Sequence, residues 1–490
     1  MTTKTSLNIC LTSSELSPLA KTGGLADVCS SLVMYFDGAG HDIRALIPFY
    51  SSIETSGLKI VPVEGLQDLS LTTGFQTFQY AIDSTTLPGS ELTVYLLRCD
   101  ELYRREEMYS GADEHLRFVF LSRAAIEMCQ HMQFAPDIFH CHDWHTAMVP
   151  LYLKTLYAWD SLFSGTRSVM TIHNIAYQGV FAADILNDTG LPDFRDKLDQ
   201  DDLSEGRINF MKTGIRYADY LTTVSPTYAK EIMLPEYGMG LEGLLRERKD
   251  DLAGILNGVD YREWNPEIDS QIEQQYSANE FEGKQINKRD LIQEFQLNSA
   301  VDVPIIGMVT RLTWQKGLEL VQAVMPELQA QREFSLVVLG SGEEQYEQYF
   351  QRLQQEYPGR VGFYRGFNNQ LAHRVEAGSD LFLMPSRYEP CGLNQMYSLR
   401  YGTVPIVRAT GGLADSVQQY DYASGSGTGV VFRDFDAGGL SWAINFALDL
   451  YQSKKDLQQV ISNGMSKDYS WARQGQLYED LFHRLTTTVT

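Results

Sequence analysis

The same six residues, TGGLAD, occur twice in the chain, at residues 22–27 and 410–415. Each copy follows an apolar run and leads into a helical pattern, an arrangement in which free N–H groups at a helix start bind phosphate. The paired glycines would let the backbone approach a ligand closely. Two such loops predict one bound phosphate compound, although two helix N-termini without a ligand would explain the pattern as well.

Two cations and a carboxylate follow later apolar runs. Arg311 and Lys316 come after one run, where a guanidinium fork and an ammonium could together hold a diphosphate. Glu389 follows another run and precedes a helical pattern, where a carboxylate could bind sugar hydroxyls or stabilise a cationic transition state. Alternatively, Arg311 and Lys316 are solvated surface cations and Glu389 only caps a helix, in which case none of them takes part in a reaction.

A third polar group lies in the first half of the chain. Three histidines and Asp143 fall within residues 140–146, and His173 with Asn174 follows the next apolar run. A zinc site is disfavoured, because no Cys or Glu completes a familiar ligand spacing there. Asp143 could instead orient a hydroxyl, whereas a lone histidine at a strand end is often only a satisfied polar group.

The composition restricts the class of protein. The 490 residues are too many for one core, and the net charge of −23 opposes nucleic acid or an anionic membrane as partner. The six cysteines are scattered without a CxxC pair, which is typical of reduced thiols in a cytoplasmic protein. We see no secretory signal, no transit peptide and no apolar run near the roughly 20 residues that span a bilayer.

Short apolar runs alternate with helical patterns, which predicts parallel sheets covered by helices on both faces. The series ends at residues 253–260 and then restarts, so we predict two such units. The polar segment 264–285 between them is predicted to be a surface helix or loop. The predicted strands are 7–13, 92–98, 137–143, 167–174, 220–226, 304–313, 334–342, 361–367, 380–386 and 403–410.

Taken together, the motifs resemble those of glycogen and starch synthases. In family order they include KTGGLADV, HDWHT, LNGVD, RLTWQKG and the long block EPCGLNQMYSLRYGTVPIVRATGGLADSV. The resemblance implies the α/β glycosyltransferase-B fold, with two Rossmann-like domains whose parallel sheets face each other across a deep cleft. The implied domains are residues 1–255 on the acceptor side, completed by a helix at about 470–490, and residues 256–469 on the nucleotide-sugar side.

The resemblance also implies an activity. Members with these motifs are hexosyltransferases that transfer glucose from ADP-glucose to the non-reducing end of an α-1,4-glucan, such as glycogen or a maltooligosaccharide, with retention of configuration. It implies no metal or other cofactor, no nucleic-acid or membrane partner and a cytoplasmic location. The sequence only weakly favours ADP over UDP, and it leaves the oligomeric state open.

The family's functional residues can be carried over by motif. Lys21 would reach the distal phosphate, Arg311 and Lys316 would bind the diphosphate, and Glu389 would bind or stabilise the donor glucose. These four residues and His173, on the sugar side, form the predicted catalytic set. The predicted substrate-binding residues are Gly23, Gly24, Asp143, Asn174, Asn257, Cys391, Gly392, Leu393, Thr410, Gly411, Gly412 and Leu413.

Some alternatives stay open at this point. The segment 365–378 departs from the family pattern, which affects the nucleotide edge of the pocket. A glucan phosphorylase would need a lysine-bound pyridoxal phosphate, and a dinucleotide dehydrogenase would need a third glycine where Gln345 stands. A glucan-binding protein without activity would lack the phosphate-binding cluster. Transfer could proceed on one face of the sugar or by double displacement through Glu389, and Cys391 is expected to be a reactive thiol.

Overall fold

The computed structural model describes residues 6–109 and 111–487. The chain divides into two compact units. The first, here the amino-terminal unit, comprises Met1–Val224, Ala229–Gly258 and Trp471–Thr490, and the second, the carboxyl-terminal unit, comprises Ser225–Tyr228 and Val259–Ser470. Both are α/β units built on a predominantly or wholly parallel sheet, so the predicted fold class is confirmed. No helix in the described ranges is both long enough and apolar enough to cross a membrane.

The amino-terminal unit is built on a ten-stranded sheet. Its strand order is β12-β11-β8-β7-β1-β2-β6-β5-β3, with β4 paired to β5, and β9 pairs with β10 separately. The strands from β12 to β6 run parallel, and β3, β4 and β5 add an antiparallel edge. The strands are β1 (Asn8–Thr12), β2 (Asp42–Pro48), β3 (Val61–Pro62), β4 (Leu69–Thr73), β5 (Gln76–Thr86), β6 (Thr93–Arg98), β7 (Ile138–His142), β8 (Arg167–Ile172), β9 (Val180–Ala182), β10 (Arg207–Asn209), β11 (Tyr220–Thr223) and β12 (Leu252–Gly254).

The helices of the first half of the chain cover this sheet or connect its strands. Residues of β7 are buried along its whole length, as expected of a central parallel strand with both faces covered. These helices are α1 (Gly24–Gly38), α2 (Asp100–Tyr103), α3 (Glu114–His131), α4 (Val149–Lys154), α5 (Gln200–Ser204), α6 (Phe210–Tyr217), α7 (Pro226–Glu231) and α8 (Glu242–Glu247).

The carboxyl-terminal unit has a six-stranded parallel sheet in the order β15-β14-β13-β16-β17-β18. Its strands are β13 (Ile305–Val309), β14 (Ser335–Gly340), β15 (Val361–Arg365), β16 (Leu381–Met384), β17 (Val404–Arg408) and β18 (Val430–Phe432). Its helices are α9 (Glu282–Glu294), α10 (Leu318–Gln331), α11 (Glu344–Glu356), α12 (Asn369–Gly378), α13 (Asn394–Arg400), α14 (Gly411–Ser416), α15 (Ala437–Gln452) and α16 (Lys454–Met465).

The last helix, α17 (Trp471–Thr487), packs within the amino-terminal unit. The ring of Phe482 is buried and stacks on Phe36 of α1 with 5.1 Å between centroids. Gly475 lies against the ring of Tyr35 with no room for a side chain. The helix predicted at about 470–490 is therefore present as far as Thr487, and the final three residues lie outside the described part.

Each predicted strand is confirmed, with ends trimmed by one to a few residues. The prediction of a polar surface segment at 264–285 is wrong in part. Ile272 and Tyr276 are buried in a small apolar cluster, and the Tyr276 hydroxyl donates to the Tyr401 carbonyl at 2.7 Å. Only its last residues are helical, because α9 begins at Glu282.

Candidate active site

Three of the predicted motifs meet at one edge of the carboxyl-terminal sheet. They follow β13, β16 and β17, which are neighbours in the order of strands. Because these strands are parallel, the loops that leave their carboxyl ends lie side by side, which is where ligands bind in open α/β sheets.

Lys316 and Glu389 form a buried ion pair at this edge. The Lys316 ammonium donates to Glu389 Oε2 at 2.6 Å, and the Ser386 hydroxyl donates to the same oxygen at 2.9 Å. The side chains of Lys316 and Glu389 are 17% and 7% exposed. Lys316 ends a short 3-10 turn, and Gly317 follows with φ of 68°. Arg311, on the same loop, is exposed to solvent.

The second TGGLAD copy packs directly against the loop that carries Glu389. A side chain at Gly411 would clash with the carbonyl oxygen of Glu389, and one at Gly412 would clash with that of Cys391. Gly411 also has φ of 42°, a conformation that favours glycine. These two glycines are thus explained by close approach of protein backbone, and a ligand is not needed to account for them.

The N–H groups of this loop were predicted to face a phosphate. In the structure Thr410 donates to the Arg408 carbonyl at 2.9 Å, Gly412 to the Glu389 carbonyl at 3.2 Å, and Leu413 to the Thr410 carbonyl at 3.1 Å. These three N–H groups are therefore engaged inside the unit. Their role toward a phosphate stays a prediction.

The residues after Glu389 are held by the same packing. Cys391 is buried, and burial protects a thiol from bulky reagents, so the expected reactivity loses its support. Gly392 has φ of 71°, and a side chain there would meet the Gln395 amide. Leu393 immediately precedes α13.

The first TGGLAD copy lies in the amino-terminal unit and has different neighbours. The Lys21 ammonium pairs with Asp27 Oδ1 at 2.7 Å, with both side chains partly exposed. Glu15 Oε2 accepts hydrogen bonds from the N–H groups of Thr22 at 2.6 Å and Gly23 at 3.3 Å. Gly23 has an extended backbone and nothing within 4 Å of a would-be side chain. Sequence reasoning missed Glu15, whose only signal is its place shortly after β1.

The two aspartates that end the repeats also differ in role. Asp27 binds Lys21 within its own loop, whereas Asp415 accepts hydrogen bonds from the N–H and hydroxyl of Thr227 at 2.8 and 2.6 Å. Identical sequence therefore gives two different environments. The repeat is a helix start in both units, but what surrounds it is set by each unit's own loops.

Asp143 connects the loops after β7 and β8. Its Oδ1 accepts hydrogen bonds from the N–H groups of His173 at 2.7 Å and Asn174 at 3.4 Å. Asp143 itself has φ of 54°, an uncommon conformation for a residue with a side chain. Burial raises the pKa of Asp143 to about 7, because the two hydrogen bonds only partly offset its desolvation. Its carboxyl group therefore titrates near neutral pH.

The histidines beside Asp143 are neutral at physiological pH. Burial lowers the pKa of His140, His145 and His173 to about 3 and that of His142 well below its usual value. His142 Nδ1 lies 2.9 Å from His173 Nε2, which is hydrogen-bond distance. The sequence did not reveal this pair, because its members are 31 residues apart.

Asn257 follows β12 at the same carboxyl edge of the amino-terminal sheet. Its side chain is buried, and its Oδ1 has no hydrogen-bond partner among the described residues. Such unpaired buried oxygens are uncommon and often mark a place where a ligand or water binds. The next residue, Gly258, contacts the Trp471 ring of α17 without room for a side chain.

One set of potential metal ligands occurs among the described residues, and it lies away from these loops. His41 Nε2, Glu479 Oε1 and a ring nitrogen of His483 lie within 4.8 Å of one another. However, His41 Nδ1 accepts the Leu7 N–H at 3.0 Å, so a neutral His41 carries its proton on Nε2. That nitrogen therefore lacks the lone pair that a metal needs. It lies 3.7 Å from Glu479 Oε1, and His483 Nε2 lies 3.6 Å from the same oxygen, so the set is better explained as polar contacts that hold α17 against the residues around His41.

Comparison with known proteins identifies the class. Residues 8–247 match the starch synthase catalytic domain and residues 290–465 match glycosyl transferases group 1. The catalytic domain of Starch Synthase IV from Arabidopsis thaliana, bound to ADP and acarbose, superposes with a TM-score of 0.91 at 32% identity, over 99% of this chain and 100% of that one. The protein is therefore a glycosyltransferase with the glycosyltransferase-B fold.

Full-length relatives narrow the class further. Glycogen synthase 1 of Geobacter sulfurreducens is 44% identical over 98% of this chain and 96% of its own, and glycogen synthase of Thermotoga maritima is 41% identical over 99% and 100%. Sucrose-phosphate synthase from Thermosynechococcus elongatus, at 18% identity and a TM-score of 0.59, shares the fold. The chain belongs to the glycogen synthase and starch synthase family, as its motifs predicted.

Proposed function

We propose that the protein transfers glucose from ADP-glucose to the non-reducing end of an α-1,4-glucan with retention of configuration. The observation that carries the proposal is the buried Lys316–Glu389 pair at the carboxyl edge of a parallel sheet, in a chain related over its whole length to glycogen synthases. ADP in the Starch Synthase IV structure supports the adenine nucleotide. We also propose that the protein is cytoplasmic and that it binds neither nucleic acid nor membranes.

The donor side of the site stabilises opposite charges. Cleavage of the glucose C1–O bond builds positive charge at C1 and negative charge on the departing diphosphate. Lys316 and Arg311 offset the charge of the diphosphate, and Glu389 binds the sugar near its growing positive charge. Because these two cations offset the charge of the departing diphosphate, no metal or other cofactor is needed in the proposed reaction.

Residues of the amino-terminal unit bind the sugar and the distal phosphate in this proposal. Asp143 and Asn257 provide oxygens that accept hydrogen bonds from sugar hydroxyls, and His173 and Asn174 lie beside Asp143. To contact phosphate, the Lys21 ammonium must leave its ion pair with Asp27. Breaking that pair costs little free energy, since a half-exposed ion pair contributes only about 0–1 kcal/mol to stability.

The environment of Glu389 favours transfer on one face of the sugar. Its Oε2 accepts from both Lys316 and Ser386, and this stabilisation of the carboxylate charge lowers the nucleophilicity that a double displacement requires of Glu389. The acceptor hydroxyl would instead lose its proton to the departing phosphate oxygen on the same face. Retention then follows without a protein base.

A transfer assay tests the proposal. Radiolabelled ADP-glucose and UDP-glucose are offered separately with glycogen, with and without a chelator, and the anomeric form of the new linkage is read by NMR. We expect α-linked product, faster from ADP-glucose and unaffected by the chelator, and a loss of at least about a hundredfold in Glu389→Gln. Phosphate-dependent release of glucose 1-phosphate with a pyridoxal absorbance band, or β-linked product, would contradict it.

A further inference from the structure

The hydrogen bond between His142 and His173 fixes where the proton lies on each ring. His142 is completely buried, its Nδ1 faces His173 Nε2 at 2.9 Å, and its Nε2 has no hydrogen-bond partner among the described residues. Both rings are neutral, so one proton lies in the shared hydrogen bond and each ring carries only one N–H. Two arrangements are possible, depending on which ring donates.

The two arrangements differ in the buried atom that they leave unsatisfied. If His173 donates, His142 must carry its proton on Nε2, and a buried N–H is left without an acceptor. If His142 donates, its Nε2 carries only a lone pair. Buried N–H groups without a partner are rarer than buried acceptors without one, so donation by His142 is favoured.

Donation by His142 determines the state of His173. With its Nε2 accepting, neutral His173 must carry its proton on Nδ1, and no hydrogen bond to that nitrogen occurs among the described residues. The geometry points to His142 as a positioning residue that keeps His173 as a neutral Nδ1–H donor toward a hydroxyl oxygen of the donor sugar. This role rests on the proposed function. It makes His173 a hydrogen-bond donor that selects an oxygen on the sugar, and excludes it as the general base.

The proton position can be measured without turnover. The intact chain, labelled with ¹³C and ¹⁵N in its nine histidines, is observed by NMR at neutral pH, and the His173 signals are those missing from His173→Gln. Carbon and nitrogen shifts of imidazole distinguish its two neutral forms. We expect the Nδ1–H form for His173 in the ligand-free protein. The Nε2–H form or an imidazolium would overturn the inference, whatever the donor nucleotide proves to be.

Variants of His142 test its influence on the rate. Asn places an N–H close to the position of Nδ1, Leu removes the donor, and Asp offers only acceptors once it is ionised, so that variant is observed above pH 8. We expect His142→Leu to lower kcat about tenfold and His142→Asn to recover most of it. His142→Asp should move the proton of His173 to Nε2. The exposed control His131→Gln should match the original chain.

A purely structural role of His142 predicts a different pattern. Asn and Leu would then lower the rate in proportion to lost thermal stability, with the form of His173 unchanged in every variant, and that result would overturn the inference. Donor analogues add an independent test, since fluorine retains some acceptor capacity but cannot donate. At the sugar position that contacts His173, a fluoro donor analogue should bind more tightly than the deoxy analogue, and equal loss of affinity from both would count against a donating His173.

Discussion

The Lys316 ammonium lies 2.6 Å from Glu389 Oε2, although 73 residues separate them in the chain. Glu389 is buried and Lys316 is partly buried, so the carboxylate depends on the ammonium for its stability. A diphosphate that binds near Lys316 would share its ammonium with Glu389. Binding of the nucleotide and placement of the carboxylate are thereby coupled through one lysine.

This coupling predicts that Lys316→Ala weakens ADP binding and also lowers kcat. The variant loses a phosphate contact and leaves Glu389 buried without its cation, so a loss of at least about tenfold in each quantity is expected. Calorimetry with ADP and steady-state kinetics measure the two effects, with the exposed Lys455→Ala as control. Unchanged ADP affinity in Lys316→Ala would show that Lys316 does not contact the phosphates and only stabilises the Glu389 carboxylate.

The two TGGLAD copies should respond differently to the same substitution. Gly411→Ala forces a side chain into the Glu389 backbone and should displace that loop, with loss of activity and a lower melting temperature. Gly23→Ala meets no atom within 4 Å and should fold like the original chain. Activity and thermal unfolding of both variants decide this. If the Gly23→Ala variant is as stable as the original chain but less active, a ligand must pack against that loop.

Asp143 should make stability depend on pH. Its pKa in the folded chain is raised to about 7 from an ordinary 3.8, so the folded state binds this proton more tightly than the unfolded state. Ionised Asp143 therefore destabilises the fold above about pH 7, and this penalty disappears as the pH falls toward 4. Asp143→Asn keeps the accepting oxygen and cannot ionise.

We accordingly expect Asp143→Asn to melt a few degrees above the original chain at pH 8, with a smaller difference at pH 5. Its transfer activity should nevertheless fall, because the carboxylate is part of the proposed sugar site. The exposed Asp302→Asn serves as the control for loss of one negative charge. A lower melting temperature of Asp143→Asn at pH 8 would contradict the prediction.

Phe482 should contribute more to stability than any exposed residue of α17. Its ring is buried between Phe36 and His140, with centroids 5.1 and 5.3 Å away, so Phe482→Ala opens a cavity and should cost about 3–5 kcal/mol. Leu477→Ala on the same helix, where the side chain is 48% exposed, should cost little. Denaturant unfolding of the two variants measures this difference. Equal effects would mean that α17 is not anchored through its aromatic face.

Elements with a strong local signal could be predicted from the sequence. Strands such as β13 and β14 were predictable because they are continuous apolar runs, and the motif order identified the family. The short strands β3 and β9 were missed because they lack such runs. Strands β2, β4, β5, β10 and β18 were missed as well, although β2 is a buried strand of the parallel part of the sheet. The contacts of the site residues could not be predicted from the sequence, for a different reason. Glu15, the His142–His173 pair and the packing of Gly411 on Glu389 depend on loops that meet only when neighbouring strands are in place.

The return of α17 to the amino-terminal unit also constrains the order of folding during synthesis. A ribosome delivers every residue of the carboxyl-terminal unit before it delivers Phe482, which covers Phe36. The half of the molecule that is made first is therefore completed only after the other half, and the surface around Phe36 stays uncovered until α17 has been synthesised. That interval is the time needed to add roughly 230 residues, on the order of ten seconds or more at bacterial elongation rates.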